Sequence, residues 1–287
     1  MDFYLVTTDH LEECIWFRDE EDFKAAMNAV AIYSHVFHVN ILTFILMSNH
    51  VHFFLECTYA EALAFINAFK RHHSRYMYNK YGVREMLRDN HVDIEKIECT
   101  EESVERVIAY ILMNCVAANI CLHPADYPWG TGSVFFRSRS RKGTPVSRFS
   151  KRELIRLLHS KADLPAGYLI GEEGYILPES YVPVQFVESI FRSPARMNYF
   201  LQNSSKAKQR LNISNPNLPA FKDQVIVAGI KDLCHSLFQK RELAELTPDQ
   251  RAELLKQIRY RFSSHIQQIA RVTGIPYDQV VNLLESY

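Results

Sequence analysis

Several common signatures are missing from this chain of 287 residues. Its six cysteines, Cys14, Cys57, Cys99, Cys115, Cys121 and Cys234, contain no CxxC pair, which argues against a disulfide framework. The N-terminus lacks the basic, apolar, small-residue order of a signal peptide, so a reduced, cytoplasmic protein is expected. The longest apolar runs, such as 39–47, reach only about half of the ~20 residues a membrane helix needs, which excludes a transmembrane span. Net charge is absent too: 33 basic residues balance 33 acidic ones, so a nucleic-acid partner would have to be met by local patches. There are no repeats and no low-complexity tracts. What is present is an apolar fraction of 47%, enough to bury a real core in one to three domains.

Periodicity predicts an ordered alternation over the first 120 or so residues. Residues 3–8 read as a strand, 20–37 as an amphipathic helix with acidic residues at its N-terminal end, and 38–47 and 50–56 as strands joined by Ser48-Asn49 at hairpin spacing. A helix over 60–81 stopping at Gly82, a short strand over 91–98 and a helix over 101–120 follow. The order βαββαβ plus a helix is that of an α+β, ferredoxin-like domain, with helices on one sheet face and the other face free for a ligand. This catalytic-type domain is expected to span residues 1–132. A basic linker and helical middle region would occupy 133–240, and a helix-turn-helix domain 241–287. In the last of these Ala270, Gly274 and Val280 have helix-turn-helix spacing, Ile275 and Leu283 complete a small core, and 276–285 would be the recognition helix.

The chemistry centres on Asn49-His50-Val51-His52-Phe53. On a strand, residues two apart share a face, so His50 and His52 present two imidazoles side by side. Downstream, Tyr110 and Asn114 are one helical turn apart. Two imidazoles and the Asn114 amide oxygen could hold a divalent cation with open positions, and a tyrosine that attacks phosphorus leaves a phosphotyrosine that conserves the energy of the phosphodiester. Tyr76, Tyr78 and Tyr81 are rivals to Tyr110 for such a role. They sit among Lys70, Arg71, Arg75 and Lys80, which together read as a stacking and phosphate-contacting face. His72 and His73 are expected at the surface. Arg137, Arg139 and Arg141 form a basic loop suited to sequence-independent grip, and Gln279 and Asn282 are candidate base-edge contacts.

His50-Val51-His52 matches the HUH pattern of histidine, bulky apolar residue, histidine. With the segments 47–56, 70–82 and 110–129 it resembles the single-tyrosine HUH transposases, in particular the REP-associated tyrosine transposases, over roughly the first 130 residues. That resemblance implies cleavage and strand transfer of single-stranded, hairpin-bearing DNA through a 5′-phosphotyrosine, with Mg or Mn as cofactor. It makes His50, His52 and Asn114 metal ligands and Tyr110 the nucleophile, in a protein that is a monomer or homodimer with no membrane partner. The chain departs from the family after the tyrosine helix. Family members carry Asn-Pro-Val-Arg-Ala-Gly where this chain has Asn114-Cys115-Val116-Ala117-Ala118-Asn119, and the Gly-x-Leu-Phe/Trp segment is replaced over 83–90. Two other readings stay open: a domesticated, non-catalytic DNA-binding regulator, and a metal-dependent phosphodiesterase that uses activated water.

Overall fold

The computed structural model describes residues 2–8, 16–83, 87, 90–100, 102–118, 120–139, 141–206, 221, 223–262 and 264–285. The chain opens with strand β1 (Asp2–Thr8), helix α1 (Glu20–Val36), strands β2 (Asn40–Met47) and β3 (His50–Cys57), helix α2 (Tyr59–Tyr81), strand β4 (Val92–Ile97) and helix α3 (Ser103–Leu112). The fold is α+β, built on a four-stranded sheet in the order β2-β3-β1-β4 with each neighbouring pair antiparallel. Ser48 and Asn49 alone connect β2 to β3, placing Met47 opposite His50. Capping boxes start both long helices. Asp19 and Asp22 exchange side chain and backbone at α1, and Thr58 and Glu61 do so at α2. Gly82 ends α2 at φ 71°, a left-handed position that costs glycine nothing.

Register assigns the two sheet faces. Val6, Phe53 and Phe44 are aligned across β1, β3 and β2, and Phe53 meets the Phe65 and Phe69 rings of α2 at 5.0 and 5.5 Å. Thr7, His52 and Ile45 are aligned on the opposite face. That face is not left free as expected, because α3 lies over it, with Tyr110 against His52. From His50 to Leu55 every side chain of β3 is therefore buried. Outside β2, residues 129–131 run alongside it: Leu46 N–H donates to the Trp129 carbonyl at 2.9 Å and Thr131 N–H to the Phe44 carbonyl at 3.1 Å. A Cβ on Gly130 would fall 2.7 Å from the Phe44 oxygen, so this close approach requires glycine.

The single helix expected over 101–120 is two, α3 and a short α4 (Asn114–Ala117). Asn114 explains the break. Its side-chain Nδ2 donates to the Tyr110 and Ile111 carbonyls at 3.0 and 3.2 Å, in competition with the backbone N–H groups that would continue the ladder.

The middle of the chain also packs differently from the expected 133–240 and 241–287 division. A two-stranded ribbon (β5, Gly143–Pro145; β6, Leu169–Gly171) and helices α5 (Lys151–Leu158), α6 (Val184–Phe191) and α7 (Pro194–Asn203) follow α4. Leu177, Val187, Phe191, Phe200 and Leu201 join the core of the sheet. A separate core draws on residues 221–284, so the helix Asp223–Phe238 packs with Pro248–Phe262, Ile266–Thr273 and Tyr277–Glu285 instead of with the middle region. Gly274 turns between the last two helices at φ 71°, and Ile275 and Val280 are buried there. Among the described residues no helix is long and apolar enough to cross a membrane, and Cys57, Cys99, Cys115, Cys121 and Cys234 are free thiols; Cys14 lies outside them.

His72 and His73, expected at the surface, are buried on the inner side of α2. The basic character of 70–80 hid the 3.6-residue stripe of Phe65, Phe69 and Met77 to which they belong. His73 Nε2–H donates to the Trp16 carbonyl, and its ring stacks on Trp16. Burial holds the His73 pKa down at about 4, against an ordinary 6.5. A neutral folded histidine contributes stability that is complete above pH 6.5 and lost as pH falls toward 4, because the unfolded chain takes up the proton first. Urea denaturation at pH 7 and pH 4.5 is expected to show a loss of about 2 kcal/mol from this residue. His73→Leu is expected to remove about half of the overall pH dependence, much of the rest coming from His72, whose pKa burial also holds down at about 4, and an unchanged slope would exclude His73 as a source.

Candidate active site on the helix-covered sheet face

Alternation along β3 brings His50 and His52 to one face, with ring centroids 4.8 Å apart and planes perpendicular. Each ring is oriented through Nδ1. His50 shares a 2.8 Å hydrogen bond with Asn49 Oδ1, which accepts, so the proton sits on Nδ1 and the lone pair on Nε2. His52 Nδ1 shares a 3.0 Å hydrogen bond with the hydroxyl of Thr7, the residue opposite it on β1. With only 5% and 2% of their surfaces exposed, the two imidazoles sit where electrostatic interactions are little screened by water.

Tyr110 completes the cluster from α3. Its ring meets that of His52 edge-on at 5.8 Å and 84°. The phenol is half-buried, and burial raises its pKa above the ordinary tyrosine value, so at neutral pH it is protonated. Asn114 is buried one turn later, and since its Nδ2 is committed to helix carbonyls, Oδ1 is its ligand-capable atom. The structure thus gathers His50, His52 and Tyr110 directly, with Asn114 tied to the Tyr110 carbonyl.

The donor set is suited to a cation. Both Nδ1 atoms are engaged by neighbouring oxygens, which directs coordination to the Nε2 side. No group of three His, Cys, Asp or Glu side chains gathers among the described residues; the Asn114 amide oxygen could serve as a third protein ligand.

Three residues here escape a reading of the sequence. Thr7 is part of a strand pattern, and only its register with His52 marks it. Asn49 reads as a turn residue. Lys206, whose Nζ lies 5.0 Å from the centroid of the Tyr110 ring, is remote in sequence and has no local signature.

The expected DNA-contacting residues divide by environment. Arg71 and Arg75 are exposed on α2, Arg137 and Arg139 on the loop after Trp129, and Gln279 and Asn282 on the last helix. Lys70 is not on that surface: it is buried and its Nζ donates to the Asn90 carbonyl. Lys80 is held by Asp19 at 2.6 Å and Asp22 at 2.8 Å, at the start of α1. Tyr81, read as part of a stacking face, instead donates its hydroxyl to Asp19 at 2.8 Å under the Arg18 guanidinium. Arg141 makes a two-pronged pair with Glu179, at 2.8 and 3.0 Å, so its fork is engaged within the protein.

No family model matches the chain, and no curated protein matches its sequence. Among solved structures it is similar to a REP-associated tyrosine transposase bound to a REP hairpin, with 12% identity and a TM-score of 0.37, over 58% of this chain and 90% of that one.

Calorimetric titration with Mn tests the imidazole pair. His52→Ala is expected to abolish binding, and Thr7→Val, which removes only the hydroxyl that orients His52, is expected to weaken it by about 10- to 100-fold. Wild-type affinity in the Thr7→Val variant would show that the hydroxyl does not orient a ligand.

Proposed function

We propose that the protein is a metal-dependent endonuclease and strand transferase of single-stranded, hairpin-bearing DNA, acting through a 5′-phosphotyrosine at Tyr110. The observation that carries this reading is the placement of the Tyr110 phenol against His52, itself paired with His50, on one face of a sheet. A lone phenol with a raised pKa is a weak nucleophile, so a tyrosine used in this way has to be set beside a group that activates it or its target. A Mg or Mn ion held by His50, His52 and Asn114 would supply Lewis-acid polarisation of a phosphoryl oxygen.

In this reading Tyr110 Oη attacks phosphorus, the Oη–P bond forms, and the bond to the 3′-oxygen breaks. The 3′-oxygen leaves as an alcohol after gaining a proton, and the phenolic proton passes to solvent. Thr7 and Asn49 hold the imidazole orientation during the step, and the covering α3 limits water around the phenol. The four-stranded antiparallel sheet, with its strands in the order β2-β3-β1-β4, supports reading this part of the chain as a βαββαβ ferredoxin-like domain, in line with the sequence resemblance to the single-tyrosine HUH transposases. Arg71, Arg75, Arg137 and Arg139 would supply salt-dependent grip on the strand. The helices on either side of Gly274 would act as a helix-turn-helix, with exposed Gln279 and Asn282 reading base edges.

The test is incubation with hairpin-bearing single-stranded oligonucleotides and Mn, followed by denaturing electrophoresis. A covalent protein–DNA adduct is expected for the wild type and none for Tyr110→Phe, with His50→Ala reducing it at least about 100-fold. Cleavage by Tyr110→Phe without an adduct would replace this reading with a phosphodiesterase that uses activated water. Binding without cleavage would replace it with a non-catalytic regulator.

A further inference from the structure

Helix α7 packs on α3 and buries Phe200 and Leu201 in the core of the sheet. Just past its end the chain presents Lys206, whose Nζ stands over the Tyr110 ring at 5.0 Å. Lys206 is half-buried, and burial depresses its pKa, with no carboxylate among the described residues opposing the effect. Several other cations are matched by carboxylates: Lys80 by Asp19 and Asp22, Arg196 by Glu105, and Arg141 by Glu179. An ammonium drawn out of water needs compensation, and the face of one phenol offsets only part of that cost. An anion beside Tyr110 would complete it.

We infer that Lys206 is a catalytic residue of this site, binding a non-bridging oxygen of the phosphodiester that Tyr110 attacks. The inference rests on the function proposed above and names the cation of that site. Lys206 keeps its three protons throughout: it takes no part in the bonds that form and break, and it stabilises the negative charge that builds on the phosphoryl oxygens. Lys206 lies just past the end of α7, apart in sequence from the helix carrying Tyr110, so the packing of α7 on α3 helps to bring charge stabiliser and nucleophile together.

Two measurements test this with the full-length protein and a hairpin-bearing single-stranded oligonucleotide. In single-turnover adduct formation with Mn, Lys206→Met is expected to slow the reaction about 100- to 1000-fold, and Lys206→Arg to recover most of the rate. In a Tyr110→Phe background, where no adduct forms, adding Lys206→Met is expected to lower the slope of log Kd against log salt by about 0.7, the loss of one phosphate contact to a single strand. A structural role alone would move neither the salt slope nor the rescue by arginine. An adduct formed at wild-type rate by Lys206→Met, with an unchanged slope, overturns the inference and leaves the proposed function standing. A lowered slope without any wild-type adduct keeps the phosphate contact and removes the phosphotyrosine chemistry. Absence of oligonucleotide binding by the wild type overturns both.

Discussion

Strand β3 is paired along both edges and covered on both faces, and that position constrains each side chain it carries. Phe53 meets the aromatic rings of α2 on one side, while His50 and His52 meet the space under α3 on the other. A buried imidazole has to be given partners or lose the hydration it had in the unfolded chain. Asn49 and Thr7 supply those partners through Nδ1, from the hairpin turn and from the adjacent strand. The elements that build the sheet are therefore the same ones that orient the histidines.

The same logic accounts for the break between α3 and α4. Asn114 takes carbonyls that a continuous helix would use, which fixes its amide beneath Tyr110 at the cost of regular backbone pairing. Two locally unfavourable choices, a buried histidine pair and a helix interrupted by an amide, meet where α3 crosses the sheet. Capping boxes at Asp19, Thr58 and Ser150 and aromatic packing around Trp16, Phe23 and Trp129 stabilise other parts of the chain.

Charge is handled in a similar way. Although the chain is neutral overall, several basic residues that look available in sequence are spent inside the protein. Lys80 links α2 to the start of α1 through Asp19 and Asp22, and Arg141 ties its loop to Glu179. Arg71, Arg75 and Arg139 remain at the surface, as does Arg137, which also lies 3.8 Å from Glu179. The environment of a lysine or arginine, which sequence does not record, decides whether it can meet a phosphate.

The order of strands and helices through 112 was legible in the sequence because period-2 and period-3.6 patterns are local, and capping residues and Gly82 mark their ends. The pairing of His50 with His52 was legible for the same reason, since alternation on a strand needs no knowledge of neighbours. Three things required tertiary structure. Burial of His72 and His73 depends on what α2 packs against. The assignment of Val134, Phe135, Leu177, Val187, Phe191 and Leu201 to the core of the sheet, and of 223–238 to the C-terminal helices, depends on contacts between segments far apart in the chain. The partners of the candidate site, Thr7 across the β1–β3 register and Lys206 over the Tyr110 ring, are neighbours only after the chain has folded, because side-chain proximity at long sequence separation leaves no periodic trace.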